Sequence, residues 1–366
     1  MAGSPLSPAY REILAALPQV RTAQLRLTYR ATGTIELPSP PVSVWRGQLG
    51  RVLHRLSSEG EHKHNQSLYQ HLFRTPRGTI DLPEGLDGRT LGALGLAGEH
   101  VPSPFVLRLA ESHSPATAYT IESGETVTVE MVLFEDAVRH VPPLTAAFEE
   151  LENQGLGQKT RQPDGHIRRG TATLDAATLA IGPVSVSLYD GTGWSLPPEI
   201  GPSLFDRAES LTSASNAPSP SPERSTAVDL ATPLRLKHKG ALVRPDALTA
   251  DALAANVFRR RLGLAVCYGS ASPSDGALDD WRDAFFALAD ATTLDVGDLR
   301  WVNDTRYSSR QDRRHPTGGL VGRLVINGPA AEWHRVLRPL QNLHLGKKTA
   351  LGLGRIHLPE EEDSSS

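Results

Sequence analysis

Apolar residues change period several times along the chain, and each change marks an element. From Gln24 to Thr32 polar residues alternate with Leu25, Leu27 and Tyr29, the period of a strand with one buried face. After Pro38, Pro40 and Pro41 the period lengthens: Trp45, Leu49, Val52, Leu53 and Leu56 fall at helical spacing between Val44 and Leu56. Pro104–Leu109 and Thr126–Phe134 read as strands, the latter with β-branched alternation. Val141 to Gly155 reads as a helix opened by Pro142 and Pro143, and Gly170–Leu174 as the next strand. A short helix from Tyr10 to Leu17, stopped by Pro18, precedes all of these, while Gly78 to Gly98 shows no clear period.

The second half repeats the order. Pro233–Leu236 reads as a strand, Thr249–Gly269 and Asp279–Ala291 as helices, and Leu299–Tyr307 and Gly319–Ile326 as strands. Ala330–Leu343 is a helix broken near Pro339, followed by a Gly-rich loop and a last strand, Gly354–Leu358. In both halves a helix runs into a G-L-G turn, at residues 155–157 and 352–354. This pattern predicts an α+β fold of two tandem β-α-β-β-α-β units, that is, two ferredoxin-like (RAMP/RRM-like) domains with Gly-rich loops. The Ser/Pro tract Ser210–Ser225 has too few apolar residues to order itself. The expected organisation is therefore an N-terminal domain over 1–206, a linker over 207–226, a C-terminal domain over 227–358 and an acidic tail over 359–366.

Composition changes this picture in three ways. The formal net charge of −3 argues against a nucleic-acid partner, yet Arg300 to Leu358 holds eleven Lys/Arg against Asp304, Asp312 and Glu332. Such a local excess is the electrostatic footprint of a polyanion site. Aromatic residues make up 5% of the 366 residues, so base stacking is not the main binding device. Cys267 is the single cysteine, which rules out an internal disulfide and a Cys-based zinc site; its apolar surroundings predict a core position. No stretch has the length and apolarity of a membrane span, and no leader pattern opens the chain, so the expected location is cytoplasmic.

Candidate chemistry concentrates at four places. Leu343–Leu358 carries Gly346, Gly352 and Gly354 among Lys347, Lys348 and Arg355, flanked by His344 and His357; a Gly-rich loop can expose successive amides to an anion. The segment Arg306-Tyr307-Ser308-Ser309-Arg310-Gln311 mixes guanidinium, hydroxyl and amide groups suited to phosphate and ribose. His54 lies on the arginine-rich side of the first long helix, where Arg46, Arg51 and Arg55 also fall, and an imidazole there can act as general acid or base. His62, His64 and His71 share that region and compete for the role. His62 and His64 have no nearby acid or cysteine to complete a metal site, and neither a G-x-G-x-x-G after a strand nor a P-loop occurs. No metal and no cofactor is expected.

These residues resemble a known family. Trp45-Arg46-Gly47-Gln48-Leu49-Gly50-Arg51, Tyr69-Gln70-His71-Leu72-Phe73, Ser103-Pro104-Phe105-Val106-Leu107, Ser123-Gly124-Glu125 and Leu133-Phe134 occur in its order. So do Gly155-Leu156-Gly157, Arg306 to Gln311, Gly318 to Gly322, His344 to Lys347 and Leu351 to Arg355. The family is the CRISPR-associated endoribonuclease that processes precursor CRISPR RNA, the sixth Cas protein family, within the RAMP superfamily. The resemblance spans about Arg46 to Leu358 apart from the Ser/Pro tract. It implies two ferredoxin-like domains and a repeat-RNA substrate. It also implies metal-independent cleavage by the ribose 2′-hydroxyl, with CRISPR repeat RNA and other Cas proteins of an interference complex as partners. The family's catalytic histidine lies on or just after the first helix, which implies His54 first and His64 second, with Tyr29 or Lys63 as helpers. RNA binding would fall to Arg46, Arg51, the Arg306–Gln311 segment (Arg306, Tyr307, Ser308, Ser309, Arg310, Gln311) and the closing loop (His344, Gly346, Lys347, Lys348, Gly352, Gly354, Arg355). Many relatives carry cysteines between the first helix and the Tyr69 motif; Ser57–Ser67 has none. Two other classes share parts of the pattern: a non-cleaving RAMP subunit that binds guide RNA in an interference complex, and an unrelated protein whose Gly loop holds a phosphate metabolite.

Overall fold

The computed structural model describes residues 6–59, 68–110, 118–161, 165–212, 225–269, 275–308 and 313–359. After α1 (Pro8–Ala15) the first half runs β1 (Thr22–Ala31), β2 (Ile35–Leu37), α2 (Ser43–Glu59), α3 (Gly88–Leu94), β3 (Phe105–Leu109), β4 (Tyr119–Ile121) and β5 (Thr126–Phe134). It continues through α4 (Val141–Gln154), β6 (Leu156–Arg161), β7 (Ile167–Gly170), β8 (Ala172–Ile181) and β9 (Val184–Tyr189). The main sheet has the order β3-β5-β1-β8-β9, and every pairing in it is antiparallel. Taking β1, β3, β5 and β8 as the four strands of a β-α-β-β-α-β unit, the order is second-third-first-fourth, the ferredoxin-like arrangement. Helices α2 and α4 supply the two crossovers.

The second half contains α5 (Ser203–Thr212), β10 (Ser225–Leu234), β11 (Lys237–His238), β12 (Ala241–Leu242), α6 (Ala250–Cys267), α7 (Asp275–Asp290), β13 (Thr293–Asp295) and β14 (Arg300–Val302). It closes with β15 (Thr305–Ser308), β16 (Arg313–Pro316), β17 (Gly319–Asn327), α8 (Ala330–Leu337), α9 (Leu340–Leu343) and β18 (Ile356–His357). The order β13-β17-β10-β18, with β14 also on β17, reproduces the second-third-first-fourth order. The fold is two tandem ferredoxin-like units. Among the described residues no helix is long and apolar enough to cross a membrane.

Burial explains the elements. On α2, Trp45, Gln48, Leu49, Val52 and Leu53 are buried, and Arg51, His54 and Arg55 are exposed on the other side. β3 is buried on both faces: Phe105, Leu107 and Leu109 join the core of the first half, while Val106 joins the core of the second. This is why apolar residues stand on both faces of it, with Arg108 alone as the charged member. The second core also takes in Leu14 and Leu17 of the leader segment and Leu94 and Leu96 around α3. Gly263 of α6 lets α3 approach; a Cβ there would stand 2.9 Å from the Leu94 carbonyl. Leu6 to Leu17 and the aperiodic Gly78–Gly98 stretch thus pack on the C-terminal half. Cys267 is buried, and burial pushes its thiol up to about 12.

Several elements depart from the sequence reading. β10 starts at Ser225, inside the stretch taken as linker, and Pro233 sits near its end where the register with β17 shifts between Leu230 and Leu234. β8 runs to Ile181 rather than Leu174, and β6, β7 and β9 had no counterpart in the reading. Ser203–Thr212 is helical, so the interval between the halves is 213–224, outside the described residues, as is the tail from 360.

A single glycine tests how tightly the closing loop is packed. Gly354 has φ +73°, and a Cβ there would collide with the Leu345 carbonyl. Gly354→Ala should cost at least about 2 kcal/mol. Gly276→Ala, in the first turn of α7 with open space around it, should be neutral or slightly stabilising. Urea unfolding of both variants checks the contrast.

Candidate nucleic-acid interface

The closing Gly-rich loop is turned inward. Gly352 (φ +77°) lies against the other half of the molecule, where a Cβ would stand 2.9 Å from the Leu107 carbonyl and 3.3 Å from Val42 Cγ2. The amides of Leu345, Lys347, Leu351, Gly352 and Gly354 donate to Gly354, Arg235, Lys348, Thr349 and Pro233 carbonyls, and that of Arg355 to the Thr232 hydroxyl. The expectation of an amide cradle for phosphate is therefore corrected: these amides are spent on the chain's own backbone, and the glycines are required by close approach. Arg355 likewise turns inward, donating from Nη1 to the Leu109 carbonyl at 2.9 Å. His344 is fully buried, with Nδ1 3.1 Å from the Leu353 carbonyl, and burial holds its pKa well below the usual imidazole range. Gly346, Gly352, Gly354, His344 and Arg355 build the junction rather than face solvent.

What the loop presents outward is charge. Lys347 is exposed; Lys348 is half-buried, and its Nζ donates to the Pro316 carbonyl at 2.6 Å. Pro316 pairs with Thr305 and His315 with Arg306 in the β15–β16 hairpin, so Lys348 is brought beside Arg306. Arg306 in turn reaches across to α2: a Cβ at Gly47 would stand 3.8 Å from its Nη2. There it meets Arg46, whose guanidinium carbon lies 5.2 Å from the Phe73 ring centroid and whose Nε is buried without a hydrogen-bond partner. Burial, then the Arg306 charge, pushes Arg46 down to about 10. Lys348 is lowered by burial and by Arg235 and Arg306, and Arg306 by burial. Neither Arg46, Arg306 nor Lys348 has a carboxylate partner among the described residues. Asp304, just before β15, is occupied by the hydroxyls of Ser39 and Thr317, each at 2.9 Å, and the Thr305 amide. Cations gathered from both halves without a counter-charge form a site for a polyanion.

α2 leads from this site to His54. Its imidazole meets the Tyr69 ring edge-on, centroids 5.3 Å apart. Tyr69 stacks on Phe73 at 5.7 Å, and Phe73 abuts Phe105 at 5.3 Å. The turn Gln70–Arg74 is a single π-helical turn, and it sets Tyr69 and Phe73 one above the other against Gly50. His54 is eight residues beyond Arg46, about 12 Å along the helix at 1.5 Å per residue.

Tyr29 is placed elsewhere: it is fully buried, with its hydroxyl donating to the Phe148 carbonyl at 2.9 Å. It holds α4 to the sheet and does not reach the surface where His54 stands, which corrects its reading as a helper. Arg51 is exposed on α2, one turn from His54, and burial of its stem lowers its pKa. His64 and Lys63, with His62, lie outside the described residues, as do Ser309, Arg310 and Gln311; Tyr307 and Ser308 are described only as backbone of β15. Two features escaped the sequence reading. Arg235 is nearly buried, donates to the Gly318 carbonyl and borders Lys347 and Lys348; the basic run Arg235 to Lys239 was its signal. His71 and His140, centroids 5.4 Å apart, come from positions with no pattern linking them.

Comparison with known proteins gives two family matches. Residues 18–189 match a profile described as an N-terminal domain, and residues 228–356 match the CRISPR-associated endoribonuclease Cas6. Residues 228–356 are thus similar to a Cas6 endoribonuclease domain. No curated protein matches it. Among solved structures, a Cas6 product complex is 18% identical with TM-score 0.40, covering 93% of this chain and 100% of that one. Thermus thermophilus Cas6 is 14% identical with TM-score 0.42, covering 92% and 98%. A RAMP protein binding different RNA substrates is 11% identical with TM-score 0.38, covering 92% and 100%. The Cas6 match at 228–356 takes in the second sheet from within β10 to β18, the Arg306 hairpin and the Gly-rich loop.

The histidine pair gives the interface a pH dependence. Burial first, then the charges of His71 and Arg139, push His140 down to about 4, and burial with Arg139 lowers His71; Asp136 opposes both. The unfolded chain binds protons at these rings below about 6.5; the folded chain refuses the His140 proton until about 4 and takes up that of His71 below its usual range. Their stability contribution is therefore full above about pH 6.5 and lost as pH falls toward 4, on the order of 2 kcal/mol for His140 after discounting for partial exposure. Urea midpoints at pH 7.5 and 4.5 should converge in His140→Asn relative to wild type. An unchanged difference would assign the acid lability to other groups.

Proposed function

We propose that this protein cleaves the repeat of a CRISPR precursor transcript to release guide RNAs. The observation that carries the reading is the junction of Arg46, Arg306 and Lys348, which has no carboxylate partner among the described residues and is contributed by both domains at the start of the helix that bears His54. A Cas6 domain supplies half of that junction.

In the proposed reaction the RNA backbone lies along the junction, with the scissile phosphate toward the exposed end of α2. His54 takes the proton of the ribose 2′-hydroxyl, whose oxygen attacks the adjacent phosphorus. The P–O5′ bond breaks, the leaving oxygen is protonated, and the products are a 2′,3′-cyclic phosphate and a 5′-hydroxyl. The junction cations, about 12 Å back along α2, anchor the RNA backbone, and Arg51, exposed one turn from His54, is the cation that steadies the charge growing on the phosphorane oxygens. Every step uses side chains and the RNA's own hydroxyl. The edge-on Tyr69 ring limits the rotamers of His54, which favours a single attack geometry.

Cleavage of a cognate repeat at one position, in the presence of EDTA, is the expected outcome. His54→Ala should lower the single-turnover rate by about 10²- to 10⁴-fold with little change in repeat affinity. Arg306→Ala should weaken binding and reduce the slope of log affinity against log salt by about 0.7. Wild-type rates in both His54→Ala and His64→Ala would overturn the catalytic assignment. Tight repeat binding with no product from wild-type protein would instead identify a non-cleaving RNA-binding subunit.

A further inference from the structure

The cations of the junction continue into the C-terminal half and end at an aromatic ring. Arg235 stands beside Lys347 and Lys348, its carbonyl accepting the Lys347 amide and its guanidinium donating to the Gly318 carbonyl. Gly318 abuts Val302 and Asn303, so this arginine lies next to the end of β14. On β14, Trp301 rests against the core on one side and donates from Nε1 to Asn303 Oδ1 at 3.1 Å, which fixes the ring plane. Arg244 covers the ring's other side, its guanidinium carbon 3.8 Å from the centroid. At that separation a planar guanidinium lies against the ring face. Arg244 is exposed and has no carboxylate partner among the described residues. Its charge lowers the pKa of Arg235, as the charge of Arg235 lowers that of Lys348.

We propose that Arg244 on Trp301 is a stacking platform for one unpaired nucleobase of the RNA held at the junction. The proposal rests on the RNA-processing reading above. Trp301 holds the guanidinium flat, and the base stacks on its outer plane. Guanidinium planes and indole rings are both surfaces on which splayed bases stack, and single strands are held by a basic track punctuated with such surfaces. A lysine at 244 would keep the charge and lose the plane. The two readings of Arg244, phosphate contact and base platform, therefore separate experimentally. A phosphate contact is indifferent to the base, whereas a platform is sensitive to one base in the strand.

Equilibrium binding of the full chain to repeat RNA, scanned with single abasic substitutions, tests this. For wild type, one unpaired position outside the cleavage site should lose roughly 5- to 100-fold in affinity when its base is removed. In Arg244→Ala and Trp301→Ala that loss should vanish, and Arg244→Lys should behave as Arg244→Ala. Trp301→Phe should retain part of it, which controls for folding of β14. If every abasic penalty persists in the Arg244 variants, or if Arg244→Lys restores wild-type behaviour, the platform is overturned while the processing reading stands. If wild-type protein binds no repeat RNA, both fall together.

Discussion

An edge strand in an antiparallel sheet leaves every second backbone carbonyl and amide without a partner in its ladder. In the first sheet that strand is β3. The bonds from the Ala110 amide to the Thr128 carbonyl and from the Phe134 amide to the Pro104 carbonyl face β5, so by alternation Phe105, Leu107 and Leu109 face outward. The closing loop covers them. Gly352 sets its backbone on the Leu107 carbonyl, and Arg355 donates to the Leu109 carbonyl. Arg108, between them, turns the other way, to Glu130 at 2.5 Å and to the Gln341 carbonyl at 3.1 Å. A side chain at 352 would hold the loop off the strand. The docking of the halves, and with it the reach of Arg306 to Gly47, depends on this contact.

The docking assembles like charges that the chain elsewhere neutralises. Glu130 takes both Arg26 and Arg108, Asp229 takes Arg323, and Glu150 takes Arg55. Among the described residues no such acid meets Arg46, Arg306 or Lys348, so these like charges repel one another. The fold supports that repulsion with packing, and a polyanion relieves it. The net charge of −3 conceals the arrangement because most of the acids stand elsewhere.

The duplicated fold was legible because its strongest signals are local. Thr126–Phe134 alternates, α2 and α4 have apolar stripes, and the G-L-G turns recur after the second helix of each unit. β10 was missed although Val228 and Leu230 alternate with polar residues, because the alternation is short and directly follows the Ser/Pro tract that ends at Ser225; its ordering comes from β17 and β18 on either side. The glycines of the loop were visible but their purpose was not. A positive φ required by an approaching carbonyl and one required by an approaching phosphate look alike in sequence. His54 could be placed on the open side of α2 by spacing alone, whereas the burial of Tyr29 follows from α4 crossing the strand, which spacing along β1 does not encode.

The duplication also explains why the candidate chemistry occurs once. The helix equivalent to α2 in the second unit is α6, and it is enclosed by α1, α3 and α7. Its arginines are spent inside: Arg260 on the Leu343 and His344 carbonyls, Arg261 on that of Val336. Burial pushes both down to about 10. α2 has no such cover on the side of Arg51, His54 and Arg55. The same topological position thus became a core in one unit and an open face in the other. The cover on α6 comes from chain segments that precede and interrupt the first unit. Those segments keep the C-terminal unit closed around its own first helix, so that its free charge projects from the Arg306 hairpin and the lysines of the loop, toward the one first helix that solvent and substrate can reach.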